Sequence, residues 1–158
     1  MVVVVGARQV GKTTLVQELL SPQWETVTFD PFQDIGNARA DPDLFLRNHP
    51  APLFLDEIQF APEVVGGLKR HLDRHSRAPS QYILSGSQQW EGMRSLAESL
   101  AGRAVFLDLE GFSLTETTGA GEAGHWVKNW LTDPEAFIAS PKKRLPAPHT
   151  LYEHLWRG

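Results

Sequence analysis

Val2-Val3-Val4-Val5-Gly6-Ala7-Arg8-Gln9-Val10-Gly11-Lys12-Thr13 sets an unbroken β-branched run directly before the pattern G-x-x-x-x-G-K-T. A buried strand, a glycine-bounded loop and then a helix, here Lys12 to Leu20, is the order a phosphate-binding loop requires. The glycines let the backbone curl with its N–H groups inward, where they can cradle the phosphates of a nucleotide. Lys12 would set a cation on the β- and γ-phosphates, and the Thr13 hydroxyl would ligate Mg²⁺. The helix turns its positive N-terminal end toward the same anion. The stretch implies binding of a nucleoside triphosphate through Gly6, Ala7, Arg8, Gln9, Val10, Gly11, Lys12, Thr13 and Thr14.

Working outward, Glu25 to Asp30 reads as a second strand, ended by Pro31. Asp41-Pro42-Asp43 is a helix start, with Asp41 as N-cap and Pro42 at the first helical position. Pro52-Leu53-Phe54-Leu55 is a third strand that runs straight into Asp56-Glu57. Val64, Val65, Leu68 and Leu72 recur at helical spacing after Ala61-Pro62-Glu63. Tyr82 to Ser85 is a fourth strand leading into Gly86-Ser87, a helix is expected over 93–101, and Ala104 to Leu109 is a fifth strand. Alternating strands and helices of this length predict an α/β fold with a parallel sheet. From Gly111 onward the signal weakens, with a glycine-rich loop at Gly119 to Gly124 and a linker at Pro141 to Pro148. Trp126, Trp130 and Leu131 share helical spacing and are expected to pack as core or interface anchors.

Adjacent carboxylates at the C-terminal end of an apolar strand divide a task. In a phosphate-loop enzyme the strand beside the loop ends in an Asp that holds Mg²⁺ next to the loop hydroxyl. A following Glu can orient and deprotonate the attacking water. Asp56 and Glu57 fit these roles, at the strand end where side chains reach the crevice above the sheet. Ser85, at the tip of the fourth strand, is a candidate for a polar group between Glu57 and the γ-phosphate, with Ser87 next. Arg103 opens the fifth strand, and an arginine that reaches a γ-phosphate stabilises transition-state charge.

Composition narrows the rest. At 158 residues, 41% hydrophobic, the chain fits one core. A net charge of −4 gives no electrostatic case for nucleic acid. The absence of cysteine excludes disulfides and thiolate metal sites. The longest apolar run is too short to cross a bilayer and lacks the features of a signal peptide. A soluble, cytoplasmic protein without membrane partners is the expectation.

These residues resemble the AAA-type P-loop ATPases of bacteria and archaea, whose members usually continue into a C-terminal domain of uncharacterised function. The likeness rests on GARQVGKTTL, on ADPDLFL with PLFLDEIQFAPEVV, on YILSGSQQ, and on SLAGRAVFLDLEGFSLTE. It implies a P-loop NTPase three-layer sandwich with a mainly parallel five-stranded sheet of order 5-1-4-3-2. It implies a core over 1–115 and a helical or linker extension over 116–158, truncated before the family's further domain. It also implies ATP and Mg²⁺ as ligands, Asp56 and Glu57 as the second nucleotide motif, and Ser85 as polar sensor. Arg103 takes the place of an arginine finger acting in trans in a homo-oligomer. The expected catalytic set is Lys12, Glu57, Ser85 and Arg103, with Thr13 and Asp56 for the metal.

The function expected is Mg-dependent ATP hydrolysis that drives or gates a partner protein or domain. The alternative is a non-hydrolytic module that binds ATP and changes shape. A small-molecule phosphotransferase ranks below both, since Lys69, Arg70, Arg74 and Arg77 read more simply as a solvated helix face than as a lid. A nucleic-acid motor is suggested by Gln59, because DEIQ is similar to helicase-like motifs, but the acidic balance and the lack of an aromatic-basic stripe argue against it. The guanine-specific N-K-x-D motif is absent, which favours ATP as the base.

Overall fold

A strand buried on both faces needs apolar residues at every position, because successive side chains point to opposite sides. Val3, Val4 and Val5 meet that demand in the computed structural model, which describes residues 1–74, 81–87, 98–113, 116 and 126–140. The first strand, β1 (Val2–Gly6), lies inside a five-stranded sheet with β2 (Glu25–Thr28), β3 (Leu53–Asp56), β4 (Tyr82–Ser87) and β5 (Val105–Asp108). The order is β2-β3-β4-β1-β5, the expected order read from the other edge. All four pairings are parallel.

Alternation along the strands divides the core. Val3, Val5, Leu53, Leu55, Tyr82 and Leu84 face one side. There they meet Phe45 and Leu46 of α2 (Pro42–Asn48) and Val64, Val65 and Leu68 of α3 (Glu63–Arg74). Val4 and Phe54 face the other side, against Val16 of α1 (Lys12–Leu19). Helices on both faces of a parallel sheet give three layers. The α1 side is the thinner one: an apolar cavity of about 240 Å³ remains among α1, β1 and β5, lined in part by Val4, Leu19 and Leu107.

The helix starts follow local chemistry. Asp41 accepts the Leu44 N–H at 2.9 Å and Pro42 fills the first turn, as the sequence predicts. Strand ends move by a residue or two: β2 stops at Thr28 and β4 continues through Ser87. The helix expected over 93–101 lies largely outside the described residues, as do the loop at 119–124 and the linker at 141–148.

The chain divides into two compact units, Met1–Glu110 and Gly111–Gly158. Helices α4 (Trp126–Thr132) and α5 (Pro134–Ala139) belong to the second. Trp130 and Leu131 are 43% and 68% exposed, which corrects the core half of their expected role and leaves the interface half as the expectation. No helix among the described residues is long and apolar enough to cross a membrane.

Candidate nucleotide site

Burial of a polar side chain costs free energy unless partners or a ligand repay it, so buried polar groups locate function better than exposed ones do. Among the described residues the buried polar side chains are Lys12, Asp56, Ser85 and Ser87. All four lie at the C-terminal ends of β1, β3 and β4 or in the first turn of α1.

The loop after β1 is shaped by its glycines. A Cβ at Gly6 would stand 2.1 Å from the Leu109 carbonyl oxygen, so only glycine lets the chain leave the strand here. Gln9 and Gly11 take φ of 65° and 91°, which curls the loop into the first turn of α1. That helix has Gly11 at its N-cap and no side-chain cap, leaving its first N–H groups for an anion. The Lys12 ammonium, 6% exposed, turns back into the loop and donates to the carbonyls of Gly6 (3.1 Å) and Ala7 (2.7 Å). Among the described residues no carboxylate lies within 4 Å of it. A buried cation held by carbonyl dipoles alone is suited to an anionic ligand.

Strand β4 lies between β1 and β3, as the order implied by the resemblance has it, so the acidic strand is one strand removed from the loop. Asp56 still closes the gap. Its Oδ2 accepts the Thr13 hydroxyl at 2.8 Å, and its Oδ1 accepts the Ser85 hydroxyl of β4 and the Glu57 N–H at 3.1 Å. A carboxylate held by hydroxyls and an N–H, with no cation paired to it among the described residues, is a hard oxygen donor next to a hydroxyl donor. That donor set fits Mg²⁺, which takes one or two carboxylates and fills its other positions with water and phosphate.

Glu57 begins the 3-10 turn Ile58–Phe60 in the left-handed region, with φ 56° and ψ 43°. Its carboxylate accepts from the Gln59 side-chain amide. Ser85 Oγ also accepts the Glu57 N–H through a long contact of 3.4 Å. The serine hydroxyl thus donates to Asp56, a relation the sequence alone does not draw. In the sequence Gln59 reads only as part of a helicase-like motif, and its place two residues after the glutamate is the signal for this contact.

Arg103 is not brought to this cluster. It precedes β5 at the N-terminal end of the sheet, and the β1–β5 register puts it about six residues below Gly6, roughly 20 Å along the strands. Its Nε donates to Asp73 of α3 at 2.7 Å, and one terminal nitrogen donates to the Ala101 carbonyl at 3.2 Å. The ion pair holds the Asp73 carboxyl below the usual carboxylate range and raises the Arg103 guanidinium further. Arg70, from the basic face of α3, is paired with Asp43 of α2 at 2.7 Å. Arg77 lies outside the described residues.

One family and two uncharacterized relatives are similar to this chain. The model of the family described as "AAA domain" matches residues 1–118. The chain is 30% identical over 139 residues to the uncharacterized protein Rv2008c of Mycobacterium tuberculosis and, at the same identity, to the uncharacterized protein Mb2031c of Mycobacterium bovis. Each alignment covers 87% of this chain and 31% of the relative. The chain therefore spans about a third of the length of the curated relatives it matches.

Proposed function

This chain belongs to the AAA domain family, and on that premise we propose that it binds ATP with Mg²⁺ and hydrolyses it, using the cycle to drive or gate a partner protein or domain. One observation carries the reading: the buried Lys12, Asp56, Ser85 and Ser87 all stand at the loop and the strand ends around it. The loop N–H groups from Gly6 to Thr14 and the Lys12 ammonium would hold the phosphates. Thr13 and Asp56 would hold Mg²⁺, which when bound neutralises charge on the β- and γ-phosphate oxygens. Ser85 keeps the Asp56 carboxylate turned toward Thr13. Glu57 takes a proton from the attacking water as the water oxygen bonds to the γ-phosphorus. The bond to the ADP oxygen breaks, and ADP and phosphate leave.

Adding Mg-ATP is expected to raise the melting temperature, and Lys12→Ala is expected to abolish the rise. Ligand linkage gives about 2.7 kcal/mol of stabilisation at 100 times Kd. Asp56→Asn should leave an ATP-dependent shift that no longer responds to Mg²⁺. A folded wild-type chain that showed no shift at millimolar Mg-ATP would end the nucleotide reading.

A further inference from the structure

Gln59 spans two elements of the site with one side chain. Its Nε2 donates to Oε2 of Glu57, and its Oε1 accepts the Ser87 main-chain N–H at 3.4 Å. Ser87 ends β4, the strand that also carries Ser85. That single strand thereby holds both acidic residues: Asp56 through the Ser85 hydroxyl and Glu57 through Gln59. A glutamate side chain has three rotatable bonds and loses aim without a partner. A general base must stay within hydrogen-bond reach of the proton it removes. Tying Oε2 leaves Oε1 as the oxygen that a water could use.

We propose that Gln59 is the positioning residue for Glu57, fixing the carboxylate against the end of β4 so that one oxygen is free for the attacking water. This rests on the assignment of Glu57 as base. Misplacement of a catalytic group by about 1 Å costs on the order of 10²-fold in rate. Gly86 adds a second handle on the same contact. A Cβ there would stand 3.2 Å from Gln59 Oε1 and 3.4 Å from Ile58 Cγ2, so Gly86→Ala presses on this amide without touching Glu57.

The test is single-turnover hydrolysis of Mg-ATP by the full chain carrying Gln59→Met, which keeps length and removes both hydrogen bonds. The expected result is a roughly 10²-fold slower chemical step with the ATP-induced melting shift unchanged. In a Glu57→Gln background the same change should have no further effect, because residues acting as a unit are not additive. A Gln59→Met rate within about twofold of wild type would overturn the proposal, as would a full second loss on top of Glu57→Gln. If Glu57→Gln alone leaves turnover intact, the base assignment fails, and the role of Gln59 with it. Should Gln59→Met show no cooperative melt, Gly86→Ala decides: a slowed step with intact ATP binding supports the proposal, and an unchanged rate overturns it.

Discussion

Mixing Arg103→Ala chains with Lys12→Ala chains is expected to restore ATP turnover that neither variant shows alone. The Arg103→Ala chain keeps a complete phosphate loop, and the Lys12→Ala chain keeps its arginine. A contact that brings the second chain's Arg103 to the first chain's γ-phosphate therefore assembles one whole site. Arg103 stands at the N-terminal end of a parallel sheet whose phosphate loop is at the other end, so reaching its own loop would require crossing the sheet's length. A neighbouring chain has no such barrier. An arginine finger is worth about 10³- to 10⁵-fold in rate, the largest effect expected of any single change here. Specific activity of the wild type should also climb with protein concentration. Before the guanidinium can serve a neighbour it must let go of Asp73. Activity independent of concentration, with no rescue on mixing, would leave Arg103 as one half of a surface ion pair.

Glu57→Gln should preserve ATP affinity while slowing hydrolysis by roughly 10²- to 10⁴-fold, the range for a positioned general base. The substitution is nearly isosteric, and the new side-chain carbonyl can still accept from Gln59, so the turn keeps its shape. What disappears is the capacity to take a proton. The measurements are the melting shift with Mg-ATP and the steady-state rate of phosphate release. Normal turnover would move water activation away from residue 57. A wild type that binds but releases no phosphate would favour a nucleotide-dependent interaction module.

The parts of this site that the sequence made legible are those encoded locally. Four β-branched valines in a row just before a glycine-bounded loop read as a strand covered on both faces, and the loop's glycines are demanded by steric contact at Gly6 and a positive φ at Gly11. Asp41-Pro42 likewise carries its own helix start. The strand order was implied by resemblance, since nothing in residues 82–87 says that β4 inserts between β1 and β3. Ser85 was singled out for its strand end, but its bond to Asp56 depends on that insertion. The pairing of Arg103 with Asp73 joins residues 30 apart through the packing of α3, and no periodicity announces it. Trp130 and Leu131 show the opposite failure. Their spacing fits an apolar stripe, yet spacing cannot say whether anything covers it.

The left-handed backbone at residue 57 has a consequence for how sequences at this position would be selected. A glutamate is disfavoured there by about 1–2 kcal/mol, whereas glycine lacks the clashing Cβ and asparagine offsets part of the cost by a local side-chain hydrogen bond. A library randomised at position 57 and screened only for heat resistance should enrich Glu57→Gly and Glu57→Asn, and those survivors should be the clones that no longer release phosphate. Enrichment of those residues with phosphate release intact would instead separate the left-handed turn at residue 57 from the proposed turnover.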